Sequence, residues 1–210
     1  MSTKSNTTET QLTEALLRAV AVFGYGLAVS SFARAWWHET TRWTLLILMI
    51  SEGITFVLII LARAAARRDL SPLSILATVY ALCFFALFDT QHTVRLIPEA
   101  AGMSLQIMGL ALQLAAKITL GRSFGLLPAS RGLVVAGPYR IVRHPIYLGY
   151  LFGHIGFLLV NFCWRNVAVL AVLYSAQIWR ILREEEQLGV SENYRQYRQT
   201  VRWRLVPFVF

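Results

Sequence analysis

The residues best suited to chemistry begin with a basic segment that runs directly into an apolar one, GPYRIVRHPIYLG at 137–149. It brings histidine, tyrosine and arginine side chains close together along the chain. Pro145 disfavours helix at His144 and suits the first turn of a following helix, so we expect His144 at the positive end of that helix dipole. Backbone N–H groups at such an end can bind a carboxylate. The segment therefore indicates either a ligand-binding rim or a turn anchored at a membrane surface by tyrosines and arginines.

A second set of reactive residues is the run RILREEEQL, which begins at Arg180 and is followed by Gly189. A glycine suits the end of a helix. Three consecutive glutamates then fall near the negative end of the helix dipole, where carboxylates are unfavourable. The acids are better explained if they bind a cation, supplied by the protein or by a ligand, and the alternative is a local ion-pair network. Arg180 shares a helix face with Glu184, whereas Glu185 is turned about 100° away.

Other kinds of site are not indicated by the sequence. No GxSxG elbow, phosphate-binding loop or complete dinucleotide fingerprint occurs. Cys83 and Cys163 lie inside apolar runs and are predicted to be small core residues. The histidines form no HExxH-like pair, so no metal site is predicted. They are His38, His92, His144 and His154.

The composition indicates a membrane protein. Of the 210 residues, 56% are hydrophobic and 15% are charged, with 20 Lys and Arg against 11 Asp and Glu and a formal net charge of +9. An average soluble domain is about a quarter charged. Basic residues segregated from long apolar stretches are typical of membrane spans joined by basic loops. We therefore do not interpret the positive charge as a nucleic-acid-binding surface.

A spanning helix needs about 20 mostly apolar residues, and six segments approach this length. The four longer ones are 44–62, 70–88, 100–116 and 145–164, and two shorter ones are 19–33 and 166–179. A tight turn at Arg165 and Asn166 is predicted to join the last two. Gly149 and Gly153 form a small-xxx-small pair that permits close helix contact. The expectation is an all-α integral membrane protein with five to six transmembrane helices.

The basic residues of the loops predict how these helices are oriented, because cytoplasmic loops carry an excess of Lys and Arg. With six spans, arginines concentrate after the second and fourth spans and in the C-terminal tail. They include Arg63, Arg67, Arg68, Arg122, Arg131, Arg140, Arg143, Arg183, Arg195, Arg198, Arg202 and Arg204. We expect both termini in the cytoplasm and assign the membrane as a bacterial inner membrane. Both reactive motifs then lie on the cytoplasmic side.

Several polar side chains fall inside the predicted spans, where they are costly in lipid and are functional candidates. They are Glu52, Gln106, Gln113, Lys117, His154 and Gln177. Glu52 can pair with Lys117, and His154 can line a tunnel for a reaction partner. The alternative for each is a hydrogen bond between helices.

Three motifs together resemble a known family. The string GPYRIVRHPIYLGY, the run RILREEEQL, and Tyr194-x-x-Tyr197-x-x-x-Val201 followed by Pro207 are similar in order and spacing to the isoprenylcysteine carboxyl methyltransferases. That family belongs to a wider group of integral membrane methyltransferases that includes phospholipid N-methyltransferases. The resemblance covers residues 100–210, which separates a methyltransferase-like region from N-terminal transmembrane helices at 1–99 whose role is unassigned.

The resemblance implies that S-adenosyl-L-methionine is bound on the cytoplasmic side, in a pocket built by the C-terminal half without a Rossmann fold. It implies two catalytic residues, Arg180 on the substrate side and His144. The cofactor-binding residues that it implies are Leu133, Val134, Tyr139, His144, Pro145, Ile146, Tyr147, Glu184 and Glu185.

The expected function is therefore methyl transfer to a lipophilic acceptor that enters from the bilayer. The preferred reaction is O-methylation of a prenylcysteine or related carboxylate, which is already ionised at neutral pH and needs no general base. Alternatives are N-methylation of a phospholipid headgroup or S-methylation of a small thiol, for which His144 is the nearest base. A non-enzymatic transporter or assembly protein is the alternative from a different class. Such a transporter would more often show inverted repeats or broken helices.

Overall fold

The computed structural model describes residues 2–61, 72–120 and 134–210, and these ranges are built almost entirely of helices. The helices are α1 (Ser2–His38), α2 (Trp43–Leu61), α3 (Pro72–Cys83), α4 (Glu99–Leu120), α5 (Pro145–Val160), α6 (Trp164–Leu188) and α7 (Glu192–Thr200). Short 3₁₀ turns cover Phe84–Leu87 and Gly137–Arg140. Within the described ranges, β pairing is confined to one isolated bridge between Val94 and Phe162. The all-α prediction is confirmed.

Each of the six predicted segments falls on one of the helices α1 to α6, but the predicted turn at Arg165 and Asn166 is wrong. The chain turns at Asn161–Cys163, and α6 already begins at Trp164. The Sγ atom of Cys163 accepts a hydrogen bond from the backbone N–H of Asn166 at 3.4 Å and so caps the helix. The Asn166 side chain holds the turn by donating to the carbonyl oxygens of Asn161 and Asp89, both at 2.9 Å. The helix start is therefore fixed by side-chain capping that apolar length does not reveal.

One of the described helices, α4, is by itself both long and apolar enough to cross a membrane. Shorter apolar helical stretches cover Trp43–Val57, Ile75–Leu87 and Pro145–Val160. The arginines predicted for the loop after the second span, and those at 122 and 131, lie outside the described residues.

The core is formed by aromatic side chains from both halves of the chain. Phe32 of α1 is fully buried, and its ring lies 4.3 Å from that of Phe85 and 5.9 Å from that of Phe157 in α5. Leu173 of α6 is buried in the same cluster. The N-terminal helices therefore pack directly against the helices that carry the two reactive motifs.

Helices α4 and α5 pack with their backbones in contact at glycines. A Cβ at Gly149 would lie 2.7 Å from the Gly109 carbonyl oxygen, and a Cβ at Gly109 would lie 2.5 Å from the Gly149 oxygen. Gly156 repeats this arrangement against Gly102 one layer further along. Both glycines of the predicted pair lie at this contact, because a Cβ at Gly109 would also lie 2.7 Å from the Gly153 backbone nitrogen, although a Cβ at Gly153 itself would meet no atom within 4 Å. Because only glycine permits this approach, α4 fixes the position of α5.

A buried arginine, Arg42, forms hydrogen bonds near the C-terminal end of α5. Arg42 donates hydrogen bonds to the carbonyl oxygen of Thr90 at 2.6 Å and to Oδ1 of Asn161 at 2.5 Å. Asn161 is itself fully buried and donates to the Phe157 carbonyl oxygen at 3.0 Å. This network ties the segment before α4 to the end of α5, so that α5 is held at both ends.

Candidate functional site

The site begins where the C-terminal tail crosses the start of α5. The backbone N–H of Arg143 donates to the Trp203 carbonyl oxygen at 2.9 Å, and that of His144 donates to the Arg204 carbonyl oxygen at 2.8 Å. His144 then occupies the N-cap position of α5, with Pro145 as the first helical residue. The sequence rule that a residue before proline avoids helix therefore gives the observed helix start.

Glu185 is buried, with 4% of its surface exposed, and is surrounded by cationic groups of the protein itself. Its carboxylate accepts hydrogen bonds from Arg143 at 2.7 and 3.3 Å and from Arg204 at 2.9 Å, and the Nε2 atom of His144 lies 3.2 Å away. Burial alone would raise the pKa of this carboxyl, but the hydrogen bonds from His144 and Arg204 and the charges of His144 and Arg143 lower it to about 2. The carboxylate therefore joins α6, the start of α5 and the tail, and it is ionised at neutral pH.

The two neighbouring glutamates have different surroundings. Glu186 is exposed and pairs with Arg183 at 2.6 Å, one turn back on the same helix. Glu184 is half-buried and makes no hydrogen bond or ion pair with any residue that the structure describes. Its charge acts on the phenols of Tyr139 and Tyr147. Burial first and this charge second raise the pKa of Tyr139, which stays a neutral hydroxyl.

The wall around Tyr139 is built by α7 and by the end of α4. The Tyr197 hydroxyl donates a 2.6 Å hydrogen bond to the Tyr139 carbonyl oxygen, and burial raises the pKa of Tyr197 to about 12. Gly137 has a φ of +52°, and a Cβ there would lie 2.8 Å from the Thr119 hydroxyl. Any other residue at position 137 would be strained at this φ and would collide with Thr119. Because Gly137 has no side chain, the turn can lie directly against α4.

Arg180 lies one turn before Glu184 on α6 and is half-buried. Its charge acts on the hydroxyls of Tyr147 and Tyr150, which lie on α5. The His144 and Tyr147 rings are 5.9 Å apart between centroids. The charges of Arg180 and Glu184 on α6 thus act on tyrosine hydroxyls at the turn before α5 and on α5 itself.

The predicted site residues come together with two exceptions. Tyr139, His144, Tyr147, Arg180, Glu184 and Glu185 lie at the junction of α5, α6 and the tail, with Pro145 and Ile146 in the first turn of α5. Val134 is half-buried at the start of its described segment and is not part of the hydrogen bonds and ring contacts described above. Leu133 lies outside the described residues.

Comparison with known proteins places these motifs in a family. A model described as phospholipid methyltransferase matches residues 97–196. Protein-S-isoprenylcysteine O-methyltransferase of Rattus norvegicus is 32% identical over 125 residues, which cover 53% of this chain and 42% of that protein. Protein-S-isoprenylcysteine O-methyltransferase A of Arabidopsis thaliana is 30% identical over 156 residues, covering 67% of this chain and 75% of the relative. The chain belongs to the isoprenylcysteine carboxyl methyltransferase and phospholipid methyltransferase family. It spans less than half the length of the rat relative.

In this family member, four residues outside the predicted set complete the site. They are Arg143, Tyr194, Tyr197 and Arg204. The sequence did contain a signal for the two arginines, because an acid near the negative end of a helix needs a cation. It did not reveal that Glu185 is paired with cationic side chains of the protein, whereas Glu184 has no such partner among the residues that the structure describes.

The polar residues within the helices also differ from expectation. The Lys117 ammonium donates to Thr55 at 2.9 Å and to Gln113 at 3.2 Å, and Glu52 faces Nε2 of His154 at 3.6 Å in place of the predicted Lys117. Some of these polar residues form the hydrogen bonds between helices that were the alternative prediction. The Gln113 amide, for example, donates to the Ser51 hydroxyl at 3.4 Å. In the part of the chain that the structure describes, no group of three or more His, Cys, Asp and Glu side chains could hold a metal ion.

Proposed function

We propose that this protein is a membrane-embedded, S-adenosyl-L-methionine-dependent methyltransferase that acts on a lipophilic acceptor. The preferred reaction is O-methylation of a prenylcysteine or related carboxylate, the class of acceptor named by its relatives. The observation that carries the proposal is the half-buried Glu184 carboxylate, whose charge acts on Tyr139 and Tyr147 and which has no hydrogen-bond or ion-pair partner in the described ranges.

These residues fit the proposed cofactor, which carries a positive amino group and ribose hydroxyls. Glu184 offers an uncompensated anion to either group, and tyrosine hydroxyls beside it can donate or accept hydrogen bonds. Tyr139, His144, Pro145, Ile146 and Tyr147 would hold the remainder, with Leu133 and Val134 contributing from the preceding loop. When bound, the cofactor supplies a methyl group attached to a positively charged sulfur.

Glu185 has a different role in this proposal from the one expected of it. Its carboxylate is already occupied by two arginines and a histidine. We therefore treat it as a positioning residue that acts through Arg143 and His144. It holds the start of α5, and hence Tyr147, at a fixed distance from the face of α6 that carries Glu184.

Arg180 is proposed to orient the acceptor carboxylate, because a guanidinium can bind both carboxylate oxygens at once. The acceptor is ionised at neutral pH and attacks without losing a proton. The enzyme then contributes mainly proximity and alignment, which are together worth up to about 7–11 kcal/mol. Tyr147 and Tyr150 lie on the same side as Arg180 and define the wall along which the acceptor would approach.

N-methylation of a phospholipid headgroup is a second candidate, favoured by the description of the family model that matches residues 97–196. An amine acceptor must lose a proton, and His144 is the predicted base. Its Nε2 atom faces Glu185 at 3.2 Å. In a carboxylate methyltransferase, His144 needs only its structural contact with Glu185 and does not have to accept a proton. The preferred reaction therefore requires no general base.

The bilayer is the proposed location, with both termini and the cofactor pocket on the cytoplasmic side of a bacterial inner membrane. Support comes from α4, which has the length and apolarity of a spanning helix, and from large exposed apolar side chains on the other helices. These include Phe23, Leu27, Ile50 and Val57. A lipophilic acceptor could then reach Arg180 directly from the membrane.

The test is a titration of the detergent-purified protein with S-adenosyl-L-methionine by calorimetry, followed by transfer of labelled methyl to prenylcysteine analogues, phospholipids and small thiols. Glu184→Gln should weaken cofactor binding about 10- to 100-fold, since a charge-assisted hydrogen bond is worth roughly 1.5–3 kcal/mol. Glu186→Gln is the matched control, because its carboxylate is exposed and paired with Arg183. Absence of binding by the parent protein would contradict the proposal and favour a non-enzymatic membrane protein. Equal binding by parent and Glu184→Gln would contradict the site.

A further inference from the structure

A small cavity lies among α2, α4 and α5, away from the proposed methyl-transfer site. Its polar lining comprises Ser51 and Glu52 of α2, Gln106 and Gln113 of α4, and Tyr150 and His154 of α5, and Gly153 also lines it. The space among these side chains is about the size of one water molecule. Internal cavities with a polar lining hold ordered water, whereas the internal cavities of proteins that stay dry are apolar.

Three atoms on this lining are buried and have no hydrogen-bond partner among the described residues. They are Oε1 of Glu52, Oε1 of Gln106 and Nε2 of His154. Gln106 and His154 are each only 2% exposed. Leaving such groups unpaired costs the full penalty of removing them from water. That three of them converge on one cavity therefore indicates that something is bound there.

We propose that this cavity is a binding site for one structural water molecule, which hydrogen-bonds to Glu52, Gln106 and His154. Two of the three atoms, the Glu52 and Gln106 oxygens, can only accept, so they take both hydrogens of the water. The third, Nε2 of His154, lies 3.6 Å from the Glu52 oxygen, which is too long for a direct hydrogen bond, so a water beside both atoms can bond to each. The water then accepts a hydrogen bond from His154.

This arrangement also fixes the tautomer of His154. If Nε2 carries the proton and donates to the water, Nδ1 must accept. Its partner is the Tyr174 hydroxyl at 2.8 Å, which can donate. Each ring nitrogen of His154 then has a partner, the water at Nε2 and the Tyr174 hydroxyl at Nδ1. A cation in place of the water would leave Nε2–H facing a positive charge.

The water would join four helices, because Tyr174 belongs to α6. The remaining polar groups nearby are already paired with one another. Tyr150 shares a 2.9 Å hydrogen bond with Thr55, and Lys117 donates to Thr55 and Gln113. These neighbours therefore do not replace the bridge, which would link α2, α4 and α5 directly and α6 through the His154–Tyr174 hydrogen bond.

The direct test is a structure of the full chain in detergent or nanodiscs at a resolution that reveals ordered water. A single peak within hydrogen-bond distance of Glu52, Gln106 and His154 is expected. An empty cavity, direct pairing of the three side chains, or density for a lipid or acceptor headgroup would each overturn the proposal.

A thermodynamic test uses coupled substitutions. Gln106→Leu and His154→Phe should each lower the Tm, and the double variant should lower it by clearly less than the sum, because either change already releases the water. Gln177→Leu is the control partner for Gln106→Leu. The Gln177 carboxamide oxygen is also buried without a partner among the described residues, but it does not line the cavity. Additive shifts for the Gln106 and His154 pair would argue against a shared water.

Gly153 offers a third test that leaves every polar group in place. A Cβ at this position would meet no atom within 4 Å, so alanine is accommodated and its methyl group occupies the cavity lining. Gly153→Ala should displace the water peak, and in this background the Tm shifts of Gln106→Leu and His154→Phe should become additive. Gly26→Ala, also without an atom within 4 Å but on α1 outside the cavity, should leave both unchanged. Retention of the water in Gly153→Ala with unchanged coupling would contradict the assigned position.

Discussion

Arg143 and Glu185 lie 42 positions apart in the chain and face each other through two hydrogen bonds, at 2.7 and 3.3 Å, where the start of α5 meets the end of α6. Both are nearly inaccessible to solvent, with 6% and 4% of their side chains exposed. The guanidinium also donates to the Val201 carbonyl oxygen at 3.1 Å. One buried pair therefore fixes the relative positions of the two motifs and the C-terminal tail.

Removal of the carboxylate should destabilise the protein strongly. Glu185→Gln leaves Arg143 and Arg204 without their common anion, and breaking a buried pair from one side typically costs about 3–5 kcal/mol. Glu186→Gln removes an equally charged group that is exposed, so its effect should stay within about 0.5 kcal/mol. Thermal unfolding of both variants in the same detergent checks this, and equal Tm values would contradict a central role for Glu185.

The same carboxylate predicts an acid-dependent loss of stability. The pKa of Glu185 in the folded protein is about 2, lowered from an ordinary value of 4.5, so the unfolded chain binds the proton more tightly. The stabilisation from this group is fully present above pH 4.5 and is lost as the pH falls from 4.5 towards 2. Tm measured across that interval should fall more steeply in the parent than in Glu185→Gln. Parallel curves for the two proteins would show that the carboxylate carries no such linkage.

Tyr194 and Tyr197 are both buried on α7, so replacing each with phenylalanine compares the loss of a hydrogen-bonded hydroxyl with the loss of one that has no hydrogen bond to a described residue. Tyr197 donates to the Tyr139 carbonyl oxygen, so Tyr197→Phe should cost about 1 kcal/mol and loosen the turn at 137–140. The Tyr194 hydroxyl is buried beside the Glu185 carboxylate but makes no properly oriented hydrogen bond to a described residue. Tyr194→Phe should therefore be neutral or stabilising. Chemical denaturation of both variants checks the order, and a larger loss for Tyr194→Phe would contradict it.

The helices could be predicted from the sequence because their signals are local. These signals are the length of each apolar run and the effect of a proline on the residue before it. His144 and Pro145 thus gave the start of α5. The tight turn was misplaced because the Cys163 cap and the Asn166 side chain depend on groups that come together only after folding. For the same reason, three consecutive glutamates could be identified as unusual, but their separate environments could not be predicted. Helix phase distinguishes Glu184 from Glu185, yet the arginine that pairs with Glu185 lies on another element.

The glycine contact between α4 and α5 predicts a large effect from a single methyl group. A Cβ at Gly149 would lie 2.7 Å from the Gly109 carbonyl oxygen and 2.9 Å from the Gln113 backbone nitrogen, neither of which can move aside as a flexible side chain would. Gly149→Ala should therefore destabilise by about 1–3 kcal/mol or more through overpacking. Gly26→Ala should stabilise slightly, since alanine is the better helix former in open space. A comparison of Tm values for the two variants decides this.

Arg180→Lys tests the proposed acceptor site separately from the cofactor site. Lysine keeps the positive charge but loses the planar fork that can hold both oxygens of a carboxylate. If Arg180 orients an acceptor carboxylate, KM for the acceptor should rise and kcat should fall by about 10-fold or more, since misalignment raises the barrier of an in-line transfer. The Kd for S-adenosyl-L-methionine should stay within a factor of a few, because Glu184 is unchanged. A loss of cofactor affinity with normal acceptor KM would instead assign Arg180 to the cofactor, and the acceptor carboxylate would then need another cation.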